Sequence, residues 1–120
     1  LVYENTVDLA DAERINTVLN FVMTHYSDAI KISKIAKLIN LTEASFCRYF
    51  KSKTHKTFSQ FLNEVRVLNA CKLLVDSNMT ITQICYNSGY NNISHFNRQF
   101  KLITGLTAKE YAKKYLHESF

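Results

Sequence analysis

Ser94, Asn97, Arg98 and Lys101 stand three, four and seven residues apart, with His95 beside them and Phe96 and Phe100 between. At 3.6 residues per turn the polar group shares one side of a helix, with His95 at its edge, while Phe96, Phe100 and Ile103 share the other. The polar side carries an amide that both donates and accepts, a planar guanidinium fork and an ammonium point charge. It holds no carboxylate and no nucleophile paired with a base. Groups of this kind bind rather than catalyse: they donate to anions and to arrays of acceptors. A face that is only solvated usually mixes both signs of charge, so the missing acids are informative.

The same pattern occurs earlier in the chain. Phe46 and Phe50 turn inward and leave Ala44, Ser45, Cys47, Arg48 and Lys51 outside or at the margin, with Glu43 the one acid nearby. Ile32, Ile35 and Ala36 answer to Ile81, Ile84 and Cys85, each 49 residues later. Phe46, Arg48, Phe50, Lys51 and Thr54 answer to Phe96, Arg98, Phe100, Lys101 and Thr104, each 50 later, so the second copy has one extra residue in its turn. Each copy reads as a short helix, a tight turn and a second helix, which is a helix-turn-helix.

Two such faces in matching frames fit double-stranded DNA. Small residues let a helix approach base edges; Asn pairs with adenine and Arg with guanine in the major groove, and Ala or Cys can touch a thymine methyl. Lys51 and Lys101, one turn beyond each Arg, are placed for phosphates. So are donors at the start of each first helix, Ser33, Lys34 and Thr82.

The elements that position these groups are helices throughout. There is no proline, the only glycines are Gly89 and Gly105, and apolar residues recur at spacings of three and four. Thr57 with Gln60, Thr80 with Gln83 and Thr107 with Glu110 read as capping boxes that open helices. The periodicity predicts seven helices near residues 10–25, 32–39, 42–53, 57–77, 80–87, 92–103 and 107–117. Residues 10–56 form the first helix-turn-helix unit, 57–77 a linking helix and 78–120 the second unit, with 1–9 a linker or a chain end. A helix over 57–77 would span about 31 Å at 1.5 Å per residue, close to the roughly 34 Å between major-groove segments on one face of B-DNA.

Composition narrows the alternatives. A chain of 120 residues with 47% hydrophobic content can bury a core, and a net charge of +5 favours an anionic partner. No apolar run approaches a membrane span and the start lacks a signal-peptide pattern, so a cytoplasmic protein with no membrane contact is expected. The chain begins at Leu1, as a piece of a longer protein would. Cys47, Cys71 and Cys85 have neither CxxC nor paired Cys/His spacing, which argues against disulfides and structural zinc. His25, His55, His95 and His117 are scattered, with His95 alone in a face that could touch DNA. Tyr49, Tyr86, Tyr90 and Tyr111 read as core or interface aromatics. No cofactor is expected, and no pattern marks a cavity. A helical protein-interaction module with basic faces is the competing reading. An enzyme using Cys47 or a histidine would need a glycine-rich loop, metal spacing or a nucleophile–base pair, and none is present.

"ISKIAKLINLTEASFCRYFKSKT" and "SGYNNISHFNRQFKLITGLTAKEY" resemble the two motifs of the DNA-binding domain of the AraC/XylS family of bacterial transcription regulators. The resemblance covers about residues 10–117. It rests on the Gly-aromatic turn, the Phe-x-Arg-x-Phe-Lys core and the Thr-Gly end. It implies two helix-turn-helix units joined by a long helix, with both recognition helices in the major groove on one side of the duplex. The base-contacting slots it implies are Ala44, Ser45, Cys47 and Arg48, then Ile93, Ser94, His95, Asn97 and Arg98. A sequence-specific regulator, expected to be an activator, is the outcome. RNA polymerase and an upstream effector or dimerisation domain are its further expected partners. Ala44 and Cys47 stand where many relatives carry bulkier or more polar residues. His55 replaces a glycine, with strain expected at that helix end. Ala108 replaces a proline, a change the Thr107–Glu110 box should absorb.

Overall fold

A computed structural model describes residues 2–118 of the chain, with side chains described from 9 to 116. Among the described residues there are seven helices and no strand. They are α1 (Val2–His25), α2 (Ile32–Leu38), α3 (Glu43–Thr54), α4 (Phe58–Asp76), α5 (Ile81–Asn87), α6 (Ile93–Thr104) and α7 (Ala108–Glu118). The last six match the expected segments to within a residue at either end. The first does not: α1 opens at Val2 instead of near residue 10, because no glycine or proline interrupts residues 2–9. Leu1 lies outside the described residues, as does the side chain of His117.

The chain divides into two units, Leu1–Gln60 and Phe61–Phe120, with the boundary inside the first turn of α4. The first unit buries Val18, Val22, Ile35, Ala36, Phe46, Phe50 and Phe58. Phe58 meets Phe46 and Phe50 edge-on, each with ring centroids 5.5 Å apart. The core of the second unit joins Val67, Ala70, Cys71 and Leu74 of α4 to Ile84, Cys85, Tyr90, Phe96, Phe100 and Ala108. Tyr111 closes it, its ring edge-on to Phe100 at 5.5 Å.

All three expected capping boxes form. In each, the threonine hydroxyl accepts from the amide three residues on at 3.1 Å, and the glutamine or glutamate side chain accepts from the threonine amide at 2.9 Å. The Thr107 amide, and then its hydroxyl, hold the Glu110 carboxyl below its ordinary value. Ala108, buried behind this box as the first residue of α7, needs no proline to start the helix.

Backbone hydrogen bonds locate the extra residue of the second copy. Leu41 donates to the Ala36 carbonyl and Tyr90 to that of Cys85, a shift of 49; Phe46 donates to Thr42 and Phe96 to Asn92, a shift of 50. The insertion is therefore Asn91. The two copies also place left-handed residues at matching points. Asn40 (φ 59°) answers to Gly89 (φ 104°), and His55 (φ 62°) to Gly105 (φ 83°). At the second pair the amide donates 2.8 Å to the carbonyl of Lys51 or Lys101, and Thr54 or Thr104 bonds back to Phe50 or Phe100.

A Cβ built on Gly105 would meet nothing within 4 Å, so this turn demands a backbone conformation and not an empty volume. His55 consequently fits, but a left-handed non-glycine residue costs roughly 1–2 kcal/mol. Glycine returns part of that through the entropy of the unfolded chain. His55→Gly should raise stability by about 1 kcal/mol, read as a higher urea midpoint with unchanged slope. An unchanged or lower midpoint would show that the strain is relieved elsewhere.

Candidate nucleic-acid interface

α3 starts at Thr42, whose hydroxyl accepts from the Ser45 amide at 3.2 Å. Its inner side is anchored twice. Phe46 and Phe50 are fully buried, and Tyr49 donates to the Asp11 carbonyl at 3.2 Å while Lys53 pairs with the Asp11 carboxylate at 2.6 Å. This leaves Ala44, Cys47, Arg48 and Lys51 exposed and Ser45 half-buried. Arg48 donates to the Ser45 hydroxyl at 3.4 Å, a long and weak contact that a stronger acceptor can replace. In α2, Ser33 is half-buried and Lys34 is exposed, its ammonium 5.8 Å from the Phe21 ring centroid.

α6 repeats the arrangement with different side chains. Asn92 accepts from the His95 amide at 2.8 Å, and Phe96 and Phe100 are fully buried. Ser94, Asn97, Arg98 and Lys101 are exposed, as is Thr82 in the first turn of α5. Two expected members sit deeper: Ile93 is half-buried against the core, and His95 is half-buried with its ring 5.3 Å from that of Tyr90, edge-on at 84°.

Tyr90 is the hub behind His95. It is 3% exposed, its hydroxyl donates to Asn63 Oδ1 at 2.6 Å, and the Arg66 guanidinium lies 5.7 Å from its ring centroid. Burial pushes the hydroxyl up to about 12 against the lowering effect of Arg66, so it remains a donor at neutral pH. Sequence reading places Tyr90 in the core but does not find Asn63 and Arg66. Tyr86, by contrast, is exposed.

The caps Thr42 and Asn92 were also not anticipated, and a signal for them exists. Each is a favoured cap residue, but the third helical positions are Ser45 and His95 in place of the Glu or Gln of a capping box. Those third positions fall among the outward groups. A carboxylate there would repel an anion; with Ser45 and His95 instead, the third amide donates to the cap side chain and the return bond of a capping box is not made.

The first unit also carries a groove of about 510 Å³ that no sequence pattern marked. Ile32, Cys47, Arg48, Lys51, Ser52 and Phe58 line it together with the first turn of α4. Among the described residues no three His, Cys, Asp or Glu side chains gather as a metal site requires, and no helix is long and apolar enough to cross a membrane.

A family model described as a helix-turn-helix domain matches residues 35–114. YdeC, a helix-turn-helix-type transcriptional regulator of Bacillus subtilis, is 28% identical over 106 residues, covering 88% of this chain and 36% of its own length. A regulator of the same type from Staphylococcus aureus is 25% identical over 109 residues, 91% of this chain and 15% of its own. The chain thus spans about a third or less of these relatives. Among solved structures, the C-terminal domain of the response regulator AraT from Geobacillus stearothermophilus has a TM-score of 0.79 at 20% identity, covering 84% of both chains. The DNA-binding domain of AdpA, solved with a target DNA, has a TM-score of 0.79 at 22% identity, covering 84% of this chain and 91% of its own. Both share the fold.

Tyr90→Phe keeps the ring against His95 and Phe96 but removes the donor to Asn63. Withdrawing one partner from a buried hydrogen bond costs about 1–3 kcal/mol, so denaturant unfolding should report a loss in that range. Stability equal to the wild type would mean that the Tyr90 hydroxyl contributes nothing to the second unit.

Proposed function

Because the chain belongs to the helix-turn-helix family, in its AraC/XylS branch, we propose that it reads double-stranded DNA sequence-specifically with α3 and α6 in successive segments of the major groove. The chain is the DNA-binding domain of a transcription regulator. The observation that carries the finer reading is the pair of outward faces, each opposite a buried phenylalanine pair, cationic and polar, and in the same frame. Neither has an acid beyond Glu43.

In the second unit Arg98 reaches a guanine edge and Asn97 an adenine edge, with Ser94 and His95 adding contacts nearer the start of α6. Ile93 offers only its exposed edge. In the first unit Arg48 and Ser45 supply hydrogen bonds, while Ala44 and Cys47 allow close approach and contact with thymine methyls. Lys51, Lys101, Ser33, Lys34 and Thr82 serve phosphates; Lys34 must leave the Phe21 ring to do so. The second unit accordingly discriminates more among sequences than the first. The 19 residues of α4 span about 28 Å at 1.5 Å each, roughly 6 Å less than the ~34 Å between half-sites a turn apart, so the length of α4 alone does not set the half-site spacing. The two faces differ, so the site is directional and not palindromic. We place the domain in a bacterial activator in the cytoplasm, with RNA polymerase as partner and an effector or dimerisation domain upstream. The longer relatives leave room for one.

Arg98→Ala should weaken the best site by about 1–3 kcal/mol and relax preference at one position, while Lys101→Ala should weaken all sequences alike. Titration on specific and random duplexes at fixed salt separates the two effects. Equal losses on both duplexes for Arg98→Ala would remove it from the base-contacting set.

Spacing is tested separately. Inserting about five base pairs between the half-sites turns one to the opposite face of the duplex and should abolish specific affinity, and about ten should restore part of it. Undiminished affinity with the half-turn insert would mean that the units bind independently.

A further inference from the structure

The groove on the first unit lies wholly within residues 32–59, along the outward edge of α3 where the first turn of α4 begins. Its volume of about 510 Å³ is within the range of small-molecule sites. Two features define what would fill it. Ile32, Cys47 and Phe58 supply apolar wall, and Phe58 is held rigid by its edge contacts to Phe46 and Phe50. Arg48 and Lys51 supply positive charge, hydroxyls come from Ser52, Thr57 and Ser59, and no carboxylate is among the lining residues. Among the described residues no salt bridge engages Arg48 or Lys51, and the one hydrogen bond from the Arg48 guanidinium is the long contact to Ser45.

A phosphate backbone uses the donors of this lining but gains nothing from its apolar wall. An apolar ligand without charge would leave two cations desolvated at its edge, which is unfavourable. We infer that the groove is a binding site for a small amphipathic anion: one carboxylate at Arg48 and Lys51, carried on a ring-sized apolar body against Ile32 and Phe58. Guanidinium binds carboxylate through paired parallel donors, which fixes the orientation of such a ligand. The regulatory consequence rests on the DNA-binding reading. Arg48 and Lys51 cannot serve a bound carboxylate and a duplex together, so the anion competes with DNA for the first unit.

The probe is 2-naphthoate, with the neutral 2-naphthamide as its control, titrated into the whole ¹⁵N-labelled chain. Saturable amide shifts should centre on residues 32, 47–52 and 57–59, and the acid should bind about tenfold more tightly than the amide, the size expected of a charge-assisted contact. The double variant Arg48→Gln, Lys51→Gln should erase the preference for the acid. Ser52→Trp, which fills the groove from a position outside the DNA-reading set, should block both probes while leaving the spectrum of a folded chain. Scattered shifts, equal binding of acid and amide, or unaltered binding to folded Ser52→Trp would overturn the site. On the specific duplex, saturating naphthoate should weaken binding by the wild-type chain severalfold, while the same concentration of 2-naphthamide should not. Groove binding with no loss of DNA affinity would overturn the competition. A chain that binds naphthoate as described but no duplex of any sequence would support the groove and defeat the DNA reading, so the two failures are distinct.

Discussion

Two phenylalanines four residues apart can leave water together only if the helix that carries them turns one fixed side to the core. Phe46 with Phe50 and Phe96 with Phe100 do this, all four fully buried, at roughly 1.5–3 kcal/mol each. Once those rings are placed, the rotation of α3 and α6 about their axes is no longer free. Arg48 and Lys51, and Arg98 and Lys101, must then point away from the core. The chemistry of each outward face therefore follows from an apolar constraint on its reverse side. The neighbouring aromatics, Phe58 in one unit and Tyr111 in the other, tighten this by meeting the second phenylalanine edge-on.

Around this shared frame the two units have diverged in how they hold their turns. The second puts glycine at both left-handed positions and adds Asn91 after Tyr90, whose ring is buried and whose hydroxyl reaches Asn63 on α4. His95 is thereby held against a ring that is itself anchored. The first unit uses Asn40 and His55 at the same two positions and the smaller Leu41 in place of Tyr90. Asparagine accepts the left-handed conformation readily; histidine less so. The first face is built of small residues beside a groove, and the second of hydrogen-bonding residues backed by a polar network. That is a physical basis for unequal roles within a duplicated fold.

Several features were readable without coordinates because they depend on neighbours in the chain. A helix repeats every 3.6 residues, so the burial of Phe96 and Phe100 and the exposure of Asn97, Arg98 and Lys101 follow from spacing alone. A capping box closes between residues three apart, so the starts of α4, α5 and α7 were marked by Thr57, Thr80 and Thr107. The register of the repeat carried the helix-turn-helix assignment from one copy to the other. By contrast, the sequence has no glycine, proline or capping-box pair ahead of the first apolar residues, so nothing local marks the start of α1 at Val2.

Tertiary structure decided everything that joins distant segments. Ile93 has the same local pattern whether its side chain meets a duplex or the core; only the packing of the second unit sets it half-buried. The link from His95 through Tyr90 to Asn63 crosses 27 residues between its last two members, and no spacing rule connects them. The groove needs Ile32, the outward edge of α3 and the first turn of α4 in one place. Hydrogen bonds and periodicity within a helix act over three or four residues, and so they are written in the sequence. A wall made by three helices depends on how their cores close-pack, which no single segment encodes.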